Sequence, residues 1–600
     1  MTRPVLQTDV LVVGSGPAGG AAAAMLSTYG VDNMMVTKYR WTANTPRSHI
    51  TNQATVAIMR DLGLEQPVLD QGVPNELMGD TVFCTSLAGE ELSRLPTWGT
   101  HPARRADYQL ASPCSHVDLP QTYFEPILLR AAAERGTRVR FDTEFVSCEQ
   151  DDDGVTALAR DRLGGDTYEI RARYLIGADG GRSVIAQQLG LPFEGEADIA
   201  GSMNIVFEAD LSHLVAHRPS VLYWVLQPGS NIGGIGMGLV RMVRPWNEWL
   251  IVWGYDINEP APVVDDEQAR QIAHNLIGDE SVEVKITSTS LWTNNKLYAT
   301  RYSDRRVFCM GDAVHRHPPS NGLGSNTSVQ DAYNLCWKLA LVLGGKADAS
   351  LLATYDQERT PIGRQIVTRA NKSIEEFGPI FDALGLLDTA DPAQMVRNMQ
   401  ARKADTPEGA TQRAKLRTAI ELKNYEFNAH GVELGQRYRS AAVVPDGTPE
   451  PEPSRDPELY YQATTWPGAR LPHCWLEHER RRVSTLDLAG GGRFALLTGI
   501  GGDDWVAAAA RAGDELGIDV VAYVIGPGRA VLDVYDDWAR LSEVSEDGCV
   551  LVRPDTYVAW RSATMVGDPA AALLGALRRV LGLSGAAAGR PPLPSTVSTS

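Results

Sequence analysis

Apolar positions along the chain fall into short runs closed by glycine, and these runs alternate with segments of helical period. Residues 9–13, DVLVV, read as a buried strand. They lead into Gly14-Ser15-Gly16-Pro17-Ala18-Gly19 and then GAAAAMLSTYG, an alanine-rich predicted helix. A second short run, NMMV, occupies 33–36. YLIGADGGRS (174–183) and VFCMGD (307–312) are further strands that end in a glycine turn. After the latter, Ala332, Leu335, Leu339 and Val342 recur at helical spacing, which places Gly322 and Gly324 at a helix N-terminus. Between 201 and 300, runs such as VLYWVLQ and WLIVWGY alternate with glycine-bearing turns and predict a sheet. Beyond 471, FALLTG, VVAYVIG and CVLVRP alternate with helix-like segments such as WVAAAARAGDELG, the pattern of a small α/β unit.

Composition narrows the class. A chain of 600 residues, 43% of them hydrophobic, is too long for one ordinary domain. A formal charge of −18 argues against nucleic acid, which demands a basic face. Seven cysteines without a CxxC pair suggest reduced thiols in a cytosol. The start, MTRPVLQTDV, shows no leader before the first strand, and no apolar run reaches membrane-spanning length. These features predict a soluble, cytoplasmic, multidomain protein without a membrane partner. PDGTPEPEPSRDPE reads as a linker too polar to pack, and GRPPLPSTVSTS as a disordered tail.

The glycine turns carry candidate chemistry. In a strand–turn–helix context, Gly14 permits the tight turn and Gly16 lets the backbone approach a pyrophosphate. Gly19 lets helix and strand pack closely, and Pro17 and Ala18 open the helix whose positive end faces the phosphates. The second strand ends in Thr37-Lys38, where an acid would ordinarily hold a ribose hydroxyl, so Thr37 is the candidate substitute. This motif alone leaves FAD and NAD(P) both open. The turns at Asp179-Gly180 and Gly311-Asp312 let a carboxylate approach a sugar hydroxyl. The glycines from Gly322 to Gly324 would open backbone N–H groups toward an anion.

Together with LPQTYFEPIL, KYRWTANTPRSHITNQ, VRPWNEWLIVWGYD and FNAHGVELGQRY, these motifs resemble the FAD-dependent aromatic hydroxylases, the single-component class A monooxygenases, in their phenol-hydroxylase branch. The likeness runs over most of the chain. It implies an α/β (α+β) fold with a Rossmann-like FAD-binding domain in two parts, 1–200 and 301–440. A β-sheet substrate domain would fill 201–300, followed by a linker at 441–470, a thioredoxin-like domain at 471–588 and a disordered tail at 589–600. Lacking CxxC, the C-terminal domain would be structural or serve a homodimer or higher homo-oligomer. The resemblance implies that Gly14, Gly16 and Gly19 hold the FAD pyrophosphate and Asp312 the ribityl chain. Arg47 and Gln121 would contact the flavin, and Pro319, Gly324, Ser325 and Asn326 would lie against its ring. Asp179 and Gly180 would serve a motif shared by FAD and the nicotinamide cofactor. The implied reaction uses NADPH (or NADH) and O2 to hydroxylate a phenolic ring, usually ortho to its hydroxyl, via a flavin hydroperoxide.

A phenol, with a pKa near ~10, needs about 4 kcal/mol of differential stabilisation to ionise near neutrality. One charge-assisted hydrogen bond supplies about 1.5–3 kcal/mol, so a base and a nearby cation are both required. His49 is the candidate base; the competing reading is a loop histidine bonded to a carbonyl. Arg241 is the candidate cation, with Arg244 a close rival. His315 and His317 have a spacing that could bind a metal on a strand, but no acid or cysteine joins them and no metal is expected. Of Trp224, Trp246, Trp249 and Trp253, at most one should touch substrate. Two rival functions remain: an epoxidase or Baeyer–Villiger-type oxygenase acting on a larger secondary-metabolite substrate, and a non-catalytic module that kept the FAD scaffold.

Overall fold

The computed structural model describes residues 5–228 and 237–583. The proposed tail at 589–600 lies outside the described residues. Strand β1 (Val5–Val13) is followed by helix α1 (Pro17–Thr28) and strand β2 (Asn33–Val36). β1 pairs in parallel with β2 on one side and with Thr167–Gly177 on the other. Thr167–Gly177 in turn pairs in parallel with Val307–Cys309. Val13, Gly177 and Cys309 therefore stand side by side at one sheet edge. Three glycine turns far apart in sequence leave the same carboxyl edge, where open α/β sheets place their ligands.

Packing at this edge requires glycine at two points. Gly14 has φ +110°, and a Cβ there would lie 2.1 Å from the Ala178 carbonyl oxygen. A Cβ on Gly19 would lie 2.0 Å from the carbonyl oxygen of Gly14. The buried alanines of α1 let the helix sit close on the sheet.

Beyond β2 the chain forms strand β3 (Ile50–Thr51) and helix α2 (Gln53–Asp61). β3 pairs antiparallel with strand β4 (Val117–Asp118), just before helix α3 (Gln121–Glu134). The second large sheet has eight strands among the described residues. Its middle holds the expected runs, Leu222–Leu226, strand β5 (Met237–Arg244) and Glu248–Tyr255. It also recruits Asp80–Cys84 and Glu91–Pro96 from the N-terminal part, and the helix Asp266–Ile277 lies within the segment expected to form a sheet. That helix is announced locally by a capping box between Asp265 and Gln268.

Helix α4 (Leu323–Leu343) begins the helical stretch after the third glycine turn. In the C-terminal unit the strands lie in the order Val520–Val524, Phe494–Thr498, Cys549–Val552, Val558–Ser562. The first two are parallel and the rest antiparallel, with Asp503–Leu516 and Pro569–Val580 packed together. The segment before it is not wholly unpacked: Ala442, Val443 and Val444 are buried, and the Val444 N–H donates to the Ala559 carbonyl at 2.8 Å. Its acidic, proline-rich centre stays exposed, whereas its apolar end finds a partner in the sheet. The C-terminal unit docks on α4 through a buried ionic cluster, in which Lys338 contacts Glu358 at 2.7 Å and Arg553 contacts the same carboxylate at 2.5 Å.

Candidate active site

Two features form the site: a cofactor crevice, and beside it a buried acid–base cluster. At the crevice, Gly16 is the N-cap of α1 and Gly322 that of α4, and neither helix has a side-chain cap. Both leave first-turn N–H groups free for a ligand, the arrangement that attracts phosphate or an anionic ring. A Cβ on Gly16 would meet only Glu125 Oε1, at 3.9 Å, and one on Gly324 only the His317 ring, from 3.6 Å. The backbone at both positions thus faces open space. Gly311 closes the crevice from the third turn, where a Cβ would lie 3.1 Å from Ala18 and 2.8 Å from Ser328. Asp312 and Pro319 are exposed at the mouth, and Ser325 is half-buried. These features fit a dinucleotide with an anionic ring.

Other residues singled out from sequence do related work. Thr37 is buried and accepts a hydrogen bond from Ser15 at 3.2 Å, and the Lys38 ammonium sits over the Tyr39 ring. Gln121 donates to Glu125 at 2.6 Å, and the other oxygen of Glu125 accepts from the Ala43 N–H at 2.6 Å. Burial raises the Glu125 carboxyl above its ordinary value, against the hydrogen bonds from Gln121 and Ala43 and the charge of exposed Arg47. Asp179 accepts from Ser183 at 2.5 Å and from the Val184 N–H at 2.8 Å, so it braces the start of a short helix. Gly180, at φ +84°, makes that turn.

Asn326 joins the crevice to the second cluster. Its amide donates to the carbonyls of Ile50 and Gly322, and its oxygen accepts from the Asn52 N–H at 3.0 Å. This fixes β3 against the start of α4. The β3–β4 ladder then sets Ile50 opposite Asp118, and the Leu119 N–H donates to the His49 carbonyl at 2.8 Å.

His49 is buried, with Nδ1 3.2 Å from Asp118 Oδ1 and Nε2 2.7 Å from the Pro46 carbonyl. Arg241, on β5, donates from Nη2 to Asp118 Oδ2 at 2.8 Å. Asp118 is fully buried and bridges the two residues chosen from sequence, which the sequence reading had not linked. Burial pushes the Asp118 carboxyl up, but Arg241 and His49 outweigh it and hold its pKa below the ordinary carboxylate value. Burial and then Arg241 push the His49 imidazole below its ordinary 6.5, against the pull of Asp118. Both imidazole nitrogens face acceptors. A neutral ring satisfies one and a doubly protonated ring both. His49 is therefore a carbonyl-bonded loop histidine whose other ring nitrogen faces a buried carboxylate.

Arg244 points elsewhere, stacking on Tyr123 at 3.6 Å and donating to the Gln71 carbonyl at 2.5 Å. Trp249 is fully buried, and Trp224 packs against Phe377 at 4.6 Å, so both are core. His315 bonds Asp331 at 2.8 Å and His317 the Pro318 carbonyl at 2.6 Å.

An uncapped pair of helix ends thus lies beside a buried histidine–carboxylate–guanidinium chain. Residues 7–370 match the FAD binding domain family and 464–584 the aromatic-ring hydroxylase C-terminal family, and the chain belongs to the FAD-dependent aromatic-ring hydroxylases. It is 59% identical over 577 residues to the 2,4-dichlorophenol 6-monooxygenase of Delftia acidovorans, covering 96% of this chain and 98% of that protein. The phenol 2-monooxygenase of Pseudomonas sp. (strain EST1001) is 55% identical, over 96% of this chain and 93% of its own. The crystal structure of the flavin-dependent monooxygenase PieE with FAD and substrate superposes with a TM-score of 0.93 at 47% identity, covering 96% and 99%. The chain is an enzyme, a flavin-dependent aromatic monooxygenase, with FAD as its cofactor. Among the described residues no helix is long and apolar enough to cross a membrane.

Proposed function

We propose that the enzyme hydroxylates a phenol ortho to its hydroxyl, with NAD(P)H as reductant, and that His49 is the base that ionises the substrate. The observation that carries this reading is the buried chain His49–Asp118–Arg241. FAD would be held by Gly14, Gly16, Pro17, Ala18 and Gly19 at the pyrophosphate, with Thr37 and Lys38 toward the ribose. Arg47, Gln121, Asp312, Pro319, Gly324, Ser325 and Asn326 would line the rest, while Asp179, Gly180 and Gly311 shape the turns behind them. When bound and reduced, the flavin supplies the chemistry that activates dioxygen for transfer of one oxygen atom to a nucleophilic ring carbon.

The chain's own task is to make the ring nucleophilic. Asp118 holds Nδ1–H of His49, the orienting role a carboxylate plays toward a general-base histidine. Nε2 is then the nitrogen for the substrate, and the phenol hydroxyl takes the place of the Pro46 carbonyl against it. The proton moves from the phenol oxygen to Nε2, and the resulting imidazolium lies between Asp118 and the phenolate. Arg241 keeps Asp118 ionised. The burial of the cluster excludes water and strengthens each of these interactions. A His49→Gln variant that retains flavin tests the reading: hydroxylation should fall by about 10²–10⁴-fold, the range for general-base catalysis. Full activity in that variant would overturn it.

We also take the C-terminal unit to be thioredoxin-like in topology and the assembly to be a homodimer or higher homo-oligomer. Light scattering on the purified enzyme checks the second point.

A further inference from the structure

A cavity of about 230 Å³ lies between α2, α4 and the C-terminal unit, on elements other than the helix ends that face the cofactor. Asp61 on α2 and Tyr333 on α4 contribute one side of its wall, and Arg470, Arg493 and Asp555 the other. At that size it has room for an oxyanion with some hydration.

Most charges around the cavity are matched. Arg60 contacts Asp487 at 2.7 Å, Glu433 contacts His116 at 3.0 Å, and Asp555 contacts Arg553 at 2.5 Å. Asp61 accepts from the Tyr333 hydroxyl at 2.9 Å and from the Gly491 N–H at 2.8 Å. Two guanidinium groups keep an unmet donor: Arg470, and Arg493, which faces the charge of Asp61. Arg470 is only 7% exposed, and its Nη1 is buried without a hydrogen-bond partner among the described residues. The Nε of Arg493 is likewise buried and unpartnered. A buried guanidinium with unmet donors is costly, and its planar fork matches an oxyanion two bonds at a time. Both unmet donors belong to cations, and Arg470 has no carboxylate partner among the described residues, which favours an anion over a metal or an apolar ligand.

We propose that this cavity binds a small oxyanion of phosphate size, anchored by Arg470 and joined by Arg493. Arg470 and Arg493 come from the C-terminal part, whereas Asp61 and Tyr333 belong to the flavin-binding part, so an occupied cavity fastens the two together. The inference is independent of the proposed hydroxylation.

Equilibrium dialysis of the flavin-loaded enzyme with radiolabelled inorganic phosphate, at ionic strength fixed with chloride, tests it; a parallel arm uses labelled acetate. The expected result is saturable retention of one anion per chain, and the arm that binds identifies a phosphate-type or a carboxylate-type occupant. Arg470→Gln should weaken retention at least about tenfold with flavin absorbance unchanged, since one charge-assisted bidentate contact is lost. Ala57→Leu, which fills the cavity from α2 without altering a charge, should do the same and serves if the first variant does not fold. No saturable retention of either anion by the native holoenzyme would overturn the proposal, as would retention unchanged in both variants.

Discussion

Asp118 accepts a hydrogen bond from Arg241 at 2.8 Å while its other oxygen lies 3.2 Å from Nδ1 of His49. One carboxylate thus couples a residue of the loop after β2 to a residue of the second large sheet, all of them buried. The charge on Asp118 has two effects: it favours the Nδ1–H tautomer of His49 and neutralises a guanidinium that would otherwise be stranded.

Asp118→Asn separates these effects from simple packing. The variant keeps the shape but leaves Arg241 buried without a counter-charge, and loss of one member of such a pair costs about 3–5 kcal/mol. The hydroxylation rate should fall about 10²-fold or more with flavin retained, because the amide no longer fixes the tautomer. Thermal melting and turnover of the flavin-loaded variant check both. Turnover within twofold of the native rate would contradict a positioning role for the carboxylate.

The pH dependence follows from the direction of the His49 shift. A base must be unprotonated to act, and burial together with Arg241 lowers this imidazole from 6.5. The acid limb of kcat/KM should therefore lie below 6.5, with activity flat through neutrality. In His49→Gln that limb should vanish, and the residual rate should climb with pH as the free phenol ionises toward its own value near ~10. Steady-state rates between acid and alkaline pH decide this.

The glycines of the first turn should respond differently to an added methyl group. Gly14→Ala forces a Cβ to within 2.1 Å of a backbone oxygen at φ +110°, so the sheet edge must shift and the protein should be poorly folded. Gly16→Ala meets no atom closer than 3.9 Å, so the chain should fold with near-native melting. Its flavin affinity should fall at least about tenfold, because the methyl occupies the approach to the pyrophosphate. Melting curves and flavin titration of the two variants read the contrast directly.

Asn326→Ala removes the link between α4 and β3. Three hydrogen bonds are lost, two of them from a buried amide to backbone carbonyls, at about 1 kcal/mol each. The flavin should still bind, while turnover falls as the His49 loop loses its register against Asp118. Measuring flavin affinity and turnover together separates this from a loss of cofactor.

Much of this arrangement was legible in the chain. The strands before Gly14, Asp179 and Gly311 announce themselves by apolar runs closed with glycine, and the residues named as acid–base candidates, His49 and Arg241, do converge on one carboxylate. Asp118 was not legible. It sits in HVDLPQ, where an acid before a helix reads as turn or cap chemistry, and its partner strand is two residues long and about seventy positions away. Strands so short carry no periodicity, so only the folded ladder reveals the pairing. The choice between Arg241 and Arg244 also depended on tertiary structure, since a register shift between Met242 and Arg244 breaks the simple alternation of faces. Asp179 carries a structural task that its glycine turn did not announce, since it also braces a helix start. Glu125 was hidden because a carboxylate four residues into a helix reads as surface, yet it is buried under the crevice.

The central claim, that His49 with Asp118 ionises a bound phenol, is tested most directly by titrating a chromophoric nitrophenol bound to the oxidised, flavin-loaded enzyme and following the phenolate absorbance. The bound pKa should lie about 1–2 units below the free value, the equivalent of one charge-assisted hydrogen bond, and the shift should disappear in His49→Gln. A bound pKa equal to or above the free value, or the same shift with and without His49, would contradict it.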